Sequence, residues 1–211
     1  MGLMDVSEEK RAFDFTSLHM DVLKEISSIG TGSAISALSQ ITNKRIQMNV
    51  PKVTWLEFKD VGSAIVPPDH MIVGILVSTT GDINSMVMFM LSLSSARTIL
   101  NYFYDSAPPD DEFDEMDMSS LQEVGNILIG SYISAFGTLI NKRIIPSVPA
   151  VTIDMAGAIL SVPAIEFSKI ADGALHIETV FNSGADAVSG YFLLVPDGES
   201  FNTIMRSLGV M

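Results

Sequence analysis

Cysteine is absent from all 211 residues, which excludes a disulfide scaffold and thiolate metal sites and accords with a reducing compartment. Basic side chains are scarce as well. Twelve Lys and Arg stand against 25 Asp and Glu, a net charge of −13. Gripping a phosphate backbone requires clustered cations, so a nucleic-acid partner is excluded. The three histidines, His19, His70 and His176, have no mutual ligand spacing, and no metal site is expected from them. Long apolar runs are missing despite a mean hydropathy of +0.37. The longest, 72–77 and 86–91, have the length of strands and fall far short of the ~18 residues of a membrane span. No secretory leader is legible at the N-terminus, and Val6 stands where a myristoylation signal carries Ser or Thr. The expectation is a soluble, acidic, cytoplasmic protein without membrane insertion.

What is present is a duplication. Asn43-Lys44-Arg45-Ile46 recurs as Asn141-Lys142-Arg143-Ile144, an offset of 98 residues. Laid over 119–152, residues 21–54 give 16 identities in 34 positions, where unrelated sequence gives about two. Each half of roughly 95 residues would leave an apolar face uncovered by itself, so the halves are expected to share one core across 1–211. The first half is assigned to 15–104 and the second to 118–211.

Both halves run in the same order. Apolar residues at spacings of three and four predict an amphipathic helix over about 17–42, and a second over about 118–141. Asn43 and Asn141 follow as candidate C-caps. Strand-like segments at 46–56 and 144–153 come next, each interrupted by proline. After a variable stretch, 71–78 and 85–91 predict a hairpin around Thr80-Gly81-Asp82, matched by 174–181 and 187–195 around Asn182-Ser183-Gly184. Short amphipathic helices at 94–104 and 199–208 close the halves. The fold class is α+β: a pseudo-twofold pair of helix–strand–strand–strand–helix units, an approximately six-stranded, largely antiparallel sheet, and two long helices on one face. Between the halves, 105–117 contains Pro108-Pro109 and seven acidic residues and is expected to be a solvated linker.

The chemistry centres on one difference between the copies. The second reads Glu123-x-x-Asn126, the first Glu25-x-x-Ser28. On a helix, Glu123 and Asn126 lie side by side, on a face with Ser119 and opposite Leu121, Val124 and Leu128. Such a pair suits orientation rather than nucleophilic attack. The amide can hold a water through both donor and acceptor, and the carboxylate can grip a cation or a lysine. Phosphoryl hydrolysis divides its labour in this way. Taken alone, Glu-x-x-Asn most often marks a solvated helix face; the repeat and the spacing give it weight.

Ser119-x-x-x-Glu123-x-x-Asn126, followed after 22 residues by Pro149, resembles the signature of the CheC/CheX/FliY chemotaxis phosphatases. Asp21, Glu25, Ser28 and Pro51 repeat it with Asn replaced by Ser. Two tandem signatures make the chain most similar to CheC-type members, since CheX-like chains carry one and FliY-like chains add a motor-switch domain. The resemblance implies hydrolysis of the aspartyl phosphate on the response regulator CheY, with Mg2+ held by the regulator and no cofactor in the phosphatase. It implies further that Glu123 docks the regulator's active-site lysine, that Asn126 orients the attacking water, and that Ser119 and Pro149 support them. Ser28, shorter by a carboxamide, would leave the first site degenerate. The rival expectation is a non-catalytic adaptor that binds phosphorylated CheY, the receptor deamidase CheD, or both.

Other features take structural readings. Gly30-Thr31-Gly32-Ser33 lacks the lysine of a phosphate loop, and Gly30 and Gly32, with Gly125 and Gly130 in the second half, are expected to let the long helices approach. The 13 methionines read as core filler, and Trp55 as a packing residue.

Overall fold

Both long helices form where the repeat places them. In the computed structural model, which describes residues 17–48, 52–57, 60–61, 65–103, 112–167, 173–183 and 186–209, α1 spans Ser17–Thr42 and the second long helix spans Glu115–Ile140. Asn43 and Asn141 stop them in the left-handed conformation, each at φ 51°, which asparagine tolerates better than other residues with a Cβ.

The strands are β1 (Gln47–Met48), β2 (Lys52–Glu57), β3 (Met71–Gly81), β4 (Ser85–Ser92), β5 (Ile144–Pro146), β6 (Ala150–Met155), β7 (Gly173–Ser183) and β8 (Asp186–Pro196). The helices after α1 are α2 (Leu93–Phe103), α3 (Glu115–Ile140), α4 (Ala156–Phe167) and α5 (Gly198–Ser207). Counting each proline-interrupted pair, β1/β2 and β5/β6, as one strand recovers the six expected. All pairings are antiparallel, in the order β1/β2–β7–β8–β4–β3–β5/β6. That order is symmetric about the β8–β4 boundary, where the duplicated hairpins meet. The strand following each long helix joins the hairpin of the opposite half: β2 pairs with β7, and β6 with β3. At the β3–β4 turn Gly81 adopts φ 104°, a conformation that favours glycine.

Alternation along the central strands builds two cores. Val87, Phe89 and Leu91 face one side with Phe192 and Leu194, under α1, α3, α2 and α5. Met86, Met88 and Met90 face the other with Leu193 and Val195, under Ile159 and Leu160 of α4. Burial on both sides explains why 86–91 reads as one apolar run. Met86, Met88 and Met90 are core filler, as expected, whereas Met71, Met116 and Met155 are exposed. Trp55 packs beside Phe201, ring centroids 5.4 Å apart.

Three features depart from the sequence reading. Helix α4 forms in the variable stretch between strand and hairpin, even with Pro163 inside it. Glycine acts in several ways. A Cβ on Gly30 would meet the Tyr132 ring at 2.7 Å, so Gly30 does bring α1 and α3 together. Gly125 instead seats α3 against Ile75 of β3, while Gly32 and Gly130 face open space. Finally, the acidic stretch ends inside a helix. Asp114 caps α3 and Asp117 returns a bond to the Asp114 backbone, a reciprocal box. Pro108-Pro109 and Gly184 lie outside the described residues.

Helix α3 is long and apolar enough to cross a membrane by length and composition alone. Its apolar face, including Leu121, Val124, Leu128, Ile129 and Phe136, is buried in the core, which accounts for that composition.

Candidate functional site

The site is built on α3. Its first turn is held two ways. The capping box bonds Asp114 and Asp117 reciprocally, side chain to backbone N–H, and the Asp117 carboxylate takes Arg97 of α2 at 2.6 Å. Arg97 also donates to the Glu112 carbonyl oxygen and lies over the Phe113 ring, 4.0 Å from its centroid. Deeper in the helix, Gly125 allows close seating on β3. A helix anchored at its start and pressed onto the sheet presents its outer residues with little freedom.

Those outer residues are Ser119, Glu123 and Asn126, all exposed, while Leu121, Val124 and Leu128 are buried. The three outer residues line an open groove of about 300 Å³ with Gln122, Pro146 at the end of β5 and, from the β5–β6 connection, Ser147, Val148 and Pro149. Ser119, Glu123, Asn126 and Pro149, four residues drawn from 31 positions of sequence, thus meet in one place. The Ser119 hydroxyl donates to the Glu115 carbonyl oxygen at 2.8 Å, and Pro149 is buried.

Gln122 escaped the sequence reading. Its Nε2 donates to the Pro149 carbonyl oxygen at 2.8 Å, tying the helix to the connection across the groove. Lys24 occupies the matching position in the first half, and one glutamine on a helix carries no signal of such a bond.

In the first half, Asp21 and Glu25 are exposed on α1 and Ser28 is half-buried. The Ser28 hydroxyl donates to the Lys24 carbonyl oxygen at 2.9 Å, so its proton is committed to the helix backbone. Pro51 lies outside the described residues. Ser27, where the second half has Gly125, bonds the Leu23 carbonyl oxygen and receives the Tyr132 hydroxyl at 3.5 Å. Burial pushes the Tyr132 hydroxyl up to about 12, so it is a neutral donor between the helices.

Chemically, the groove offers a carboxylate and a carboxamide one turn apart on a fixed helix. Among the described residues there is no cluster of three or more His, Asp or Glu that could hold a metal ion. His70 lies exposed beside Asp69, and His176 is buried against Tyr191.

A model described as the CheC-like family matches residues 18–54 and 116–153, one stretch in each half, spanning both candidate sites. The chain is 31% identical over 195 residues to the CheY-P phosphatase CheC of Bacillus subtilis strain 168, covering 90% of this chain and 93% of that protein. Among solved structures it is similar to Thermotoga maritima FliY, with TM-score 0.76 and 21% identity over 93% of this chain and 98% of that one. A chain of the CheX–CheY–BeF3–Mg2+ complex from Borrelia burgdorferi matches with TM-score 0.53 and 16% identity, over 80% and 95%. At such identities the two structural likenesses speak to the fold.

Proposed function

This chain belongs to the CheC-like family, and on that premise we propose that it hydrolyses the aspartyl phosphate of a CheY-type response regulator in chemotaxis signalling, in the cytoplasm. The observation that carries the proposal is the exposure of Glu123 and Asn126, one turn apart on a capped and seated helix, at one groove with Ser119 and Pro149.

An acyl phosphate is already activated, so a phosphatase for it need supply only orientation and electrostatics. Asn126 does this through its side-chain amide. The carbonyl oxygen accepts a hydrogen bond from the attacking water, and the NH2 group donates toward the phosphoryl oxygens. The water oxygen bonds to phosphorus as the bond to the regulator's carboxyl oxygen breaks, releasing phosphate and an aspartate carboxylate. Glu123 pairs with the regulator's active-site lysine and sets the docking angle. The Mg2+ of the reaction belongs to the regulator and supports charge on the transferred group. Ser119 and Pro149 support the helix and the facing connection.

The first half lacks the amide. Glu25 still presents a carboxylate, but the Ser28 hydroxyl is short and bonded to its own backbone, so one site turns over.

The decisive experiment follows decay of phosphorylated CheY with Mg2+, alone and with wild-type, Asn126→Ala and Ser28→Asn proteins. Accelerated decay lost in Asn126→Ala is the expected result, with a further gain from Ser28→Asn. Binding without acceleration would instead make the chain an adaptor for phosphorylated CheY or CheD.

A further inference from the structure

Val148 is 79% exposed at the rim of the groove that holds Glu123 and Asn126. A lone exposed apolar side chain is ordinary on a protein surface. What distinguishes Val148 is how firmly its backbone is held. On one side the Ser147 N–H donates to the Ser78 carbonyl oxygen at 2.8 Å, and the Ser78 N–H donates to the Ser147 hydroxyl at 3.1 Å. That hydroxyl in turn donates to the Val148 carbonyl oxygen at 3.1 Å. On the other side Pro149 is buried, and its carbonyl oxygen accepts from Gln122 at 2.8 Å. The connection between β5 and β6 is therefore fixed on both flanks of an apolar side chain that turns outward. Valine also precedes the proline in the first half, as Val50, which lies outside the described residues.

We infer that Val148 is the apolar docking contact for the phosphorylated regulator, covered by the receiver surface beside its aspartyl phosphate. The inference rests on the proposed function and deepens it. Val148 lines the same groove as Asn126, so a folded domain that delivers its acyl phosphate to the amide must also cover the valine. The polar pair alone would accept any acyl phosphate, however small. An apolar contact fixed beside it selects one carried on a protein surface, and the fixed backbone means little ordering entropy is lost on binding. Gln122, reaching across from α3, acts as the positioning residue that keeps this contact in register with Glu123 and Asn126.

The test titrates the full-length chain with a CheY-type regulator charged by acetyl phosphate in Mg2+, reading binding directly and steady-state decay in parallel. Val148→Thr keeps the shape and exchanges one methyl group for a hydroxyl; Val148→Asp adds a charge. The expected result is Kd and KM raised about fivefold by Thr and tenfold or more by Asp, with kcat held within about twofold. Ile165→Thr, at a residue 71% exposed on α4 across the sheet, is the control and moves neither. Gln122→Ala raises KM in the same direction. Unchanged affinity in Val148→Asp, with the unfolding temperature of the wild type, overturns the inference. The two readings fail separately. Wild type that binds without hydrolysing overturns the phosphatase and leaves the binding loss in Val148→Asp to decide the docking contact. Wild type that does not bind at all overturns both.

Discussion

The Arg97 guanidinium and the Asp117 carboxylate meet at 2.6 Å with only 14% and 7% of their side chains exposed, joining α2 of the first half to the first turn of α3. A pair so withdrawn from water contributes less to net stability than its breaking would cost, because removing one partner strands the other charge. Arg97→Ala or Asp117→Ala should each cost about 3–5 kcal/mol in urea unfolding. The double variant should lose clearly less than the sum. Additive losses would mean the two side chains act independently.

Two glycines of α1 should respond in opposite directions. Gly32 faces open space, so Gly32→Ala should raise stability by about 0.5–1 kcal/mol through helix propensity. A Cβ at Gly30 would meet the Tyr132 ring at 2.7 Å, and overpacking of that kind costs about 1–3 kcal/mol, outweighing the propensity gain. Denaturation midpoints of the two variants decide it, and equal stabilisation would refute close approach at Gly30.

The carboxylates of the two halves should not be equivalent in turnover. Glu123→Ala is expected to lower the rate of CheY-P decay more than about tenfold, through lost orientation of the substrate. Glu25→Ala should change it no more than about twofold, because no amide accompanies it. Equal losses would show two working sites.

His176 gives stability a pH dependence. Burial lowers its pKa from the ordinary 6.5; the Glu178 charge works against the shift and Lys52 with it. Between the lowered folded value and 6.5 the unfolded chain binds a proton that the folded chain refuses. Its contribution is therefore fully retained above the unfolded value and is lost as pH falls through that window. His176→Phe, which keeps a ring against Tyr191, should flatten the fall in unfolding temperature between about pH 7.5 and pH 5.5. An unchanged slope would assign the dependence to other groups.

Much of this architecture was legible because local signals and burial agree. Helices α1 and α3 carry an apolar stripe with Asn43 and Asn141 at their ends, and β3 and β4 flank a glycine turn. Helix α4 was illegible for a physical reason. Its sequence, Ala-Gly-Ala-Ile-Leu-Ser-Val-Pro-Ala-Ile-Glu-Phe, is apolar around most of its circumference and contains Pro163, so no period of 3.6 stands out. The cap at Asp114 was hidden by the acidic residues around it. At the candidate site, the signature singles out Glu123 and Asn126, and the structure brings Ser119 and Pro149 to the same groove. Gln122 was invisible, because its partner is a backbone carbonyl 27 residues away. Nor could the repeat disclose strand exchange, since a repeat records likeness between halves and not which half pairs with which.

That exchange has a consequence for the order of assembly. During synthesis α1 and β2 emerge first, yet β2 finds its partner only in β7, among residues 173–178. More than a hundred residues must be made before the earliest strand can close its ladder. So long a loop closure favours slow folding, and the edge of β2 stays open to chaperones and neighbouring chains until the second hairpin arrives. A nascent chain truncated before β7 would carry every residue of the candidate site and still lack the sheet strand that completes the first half.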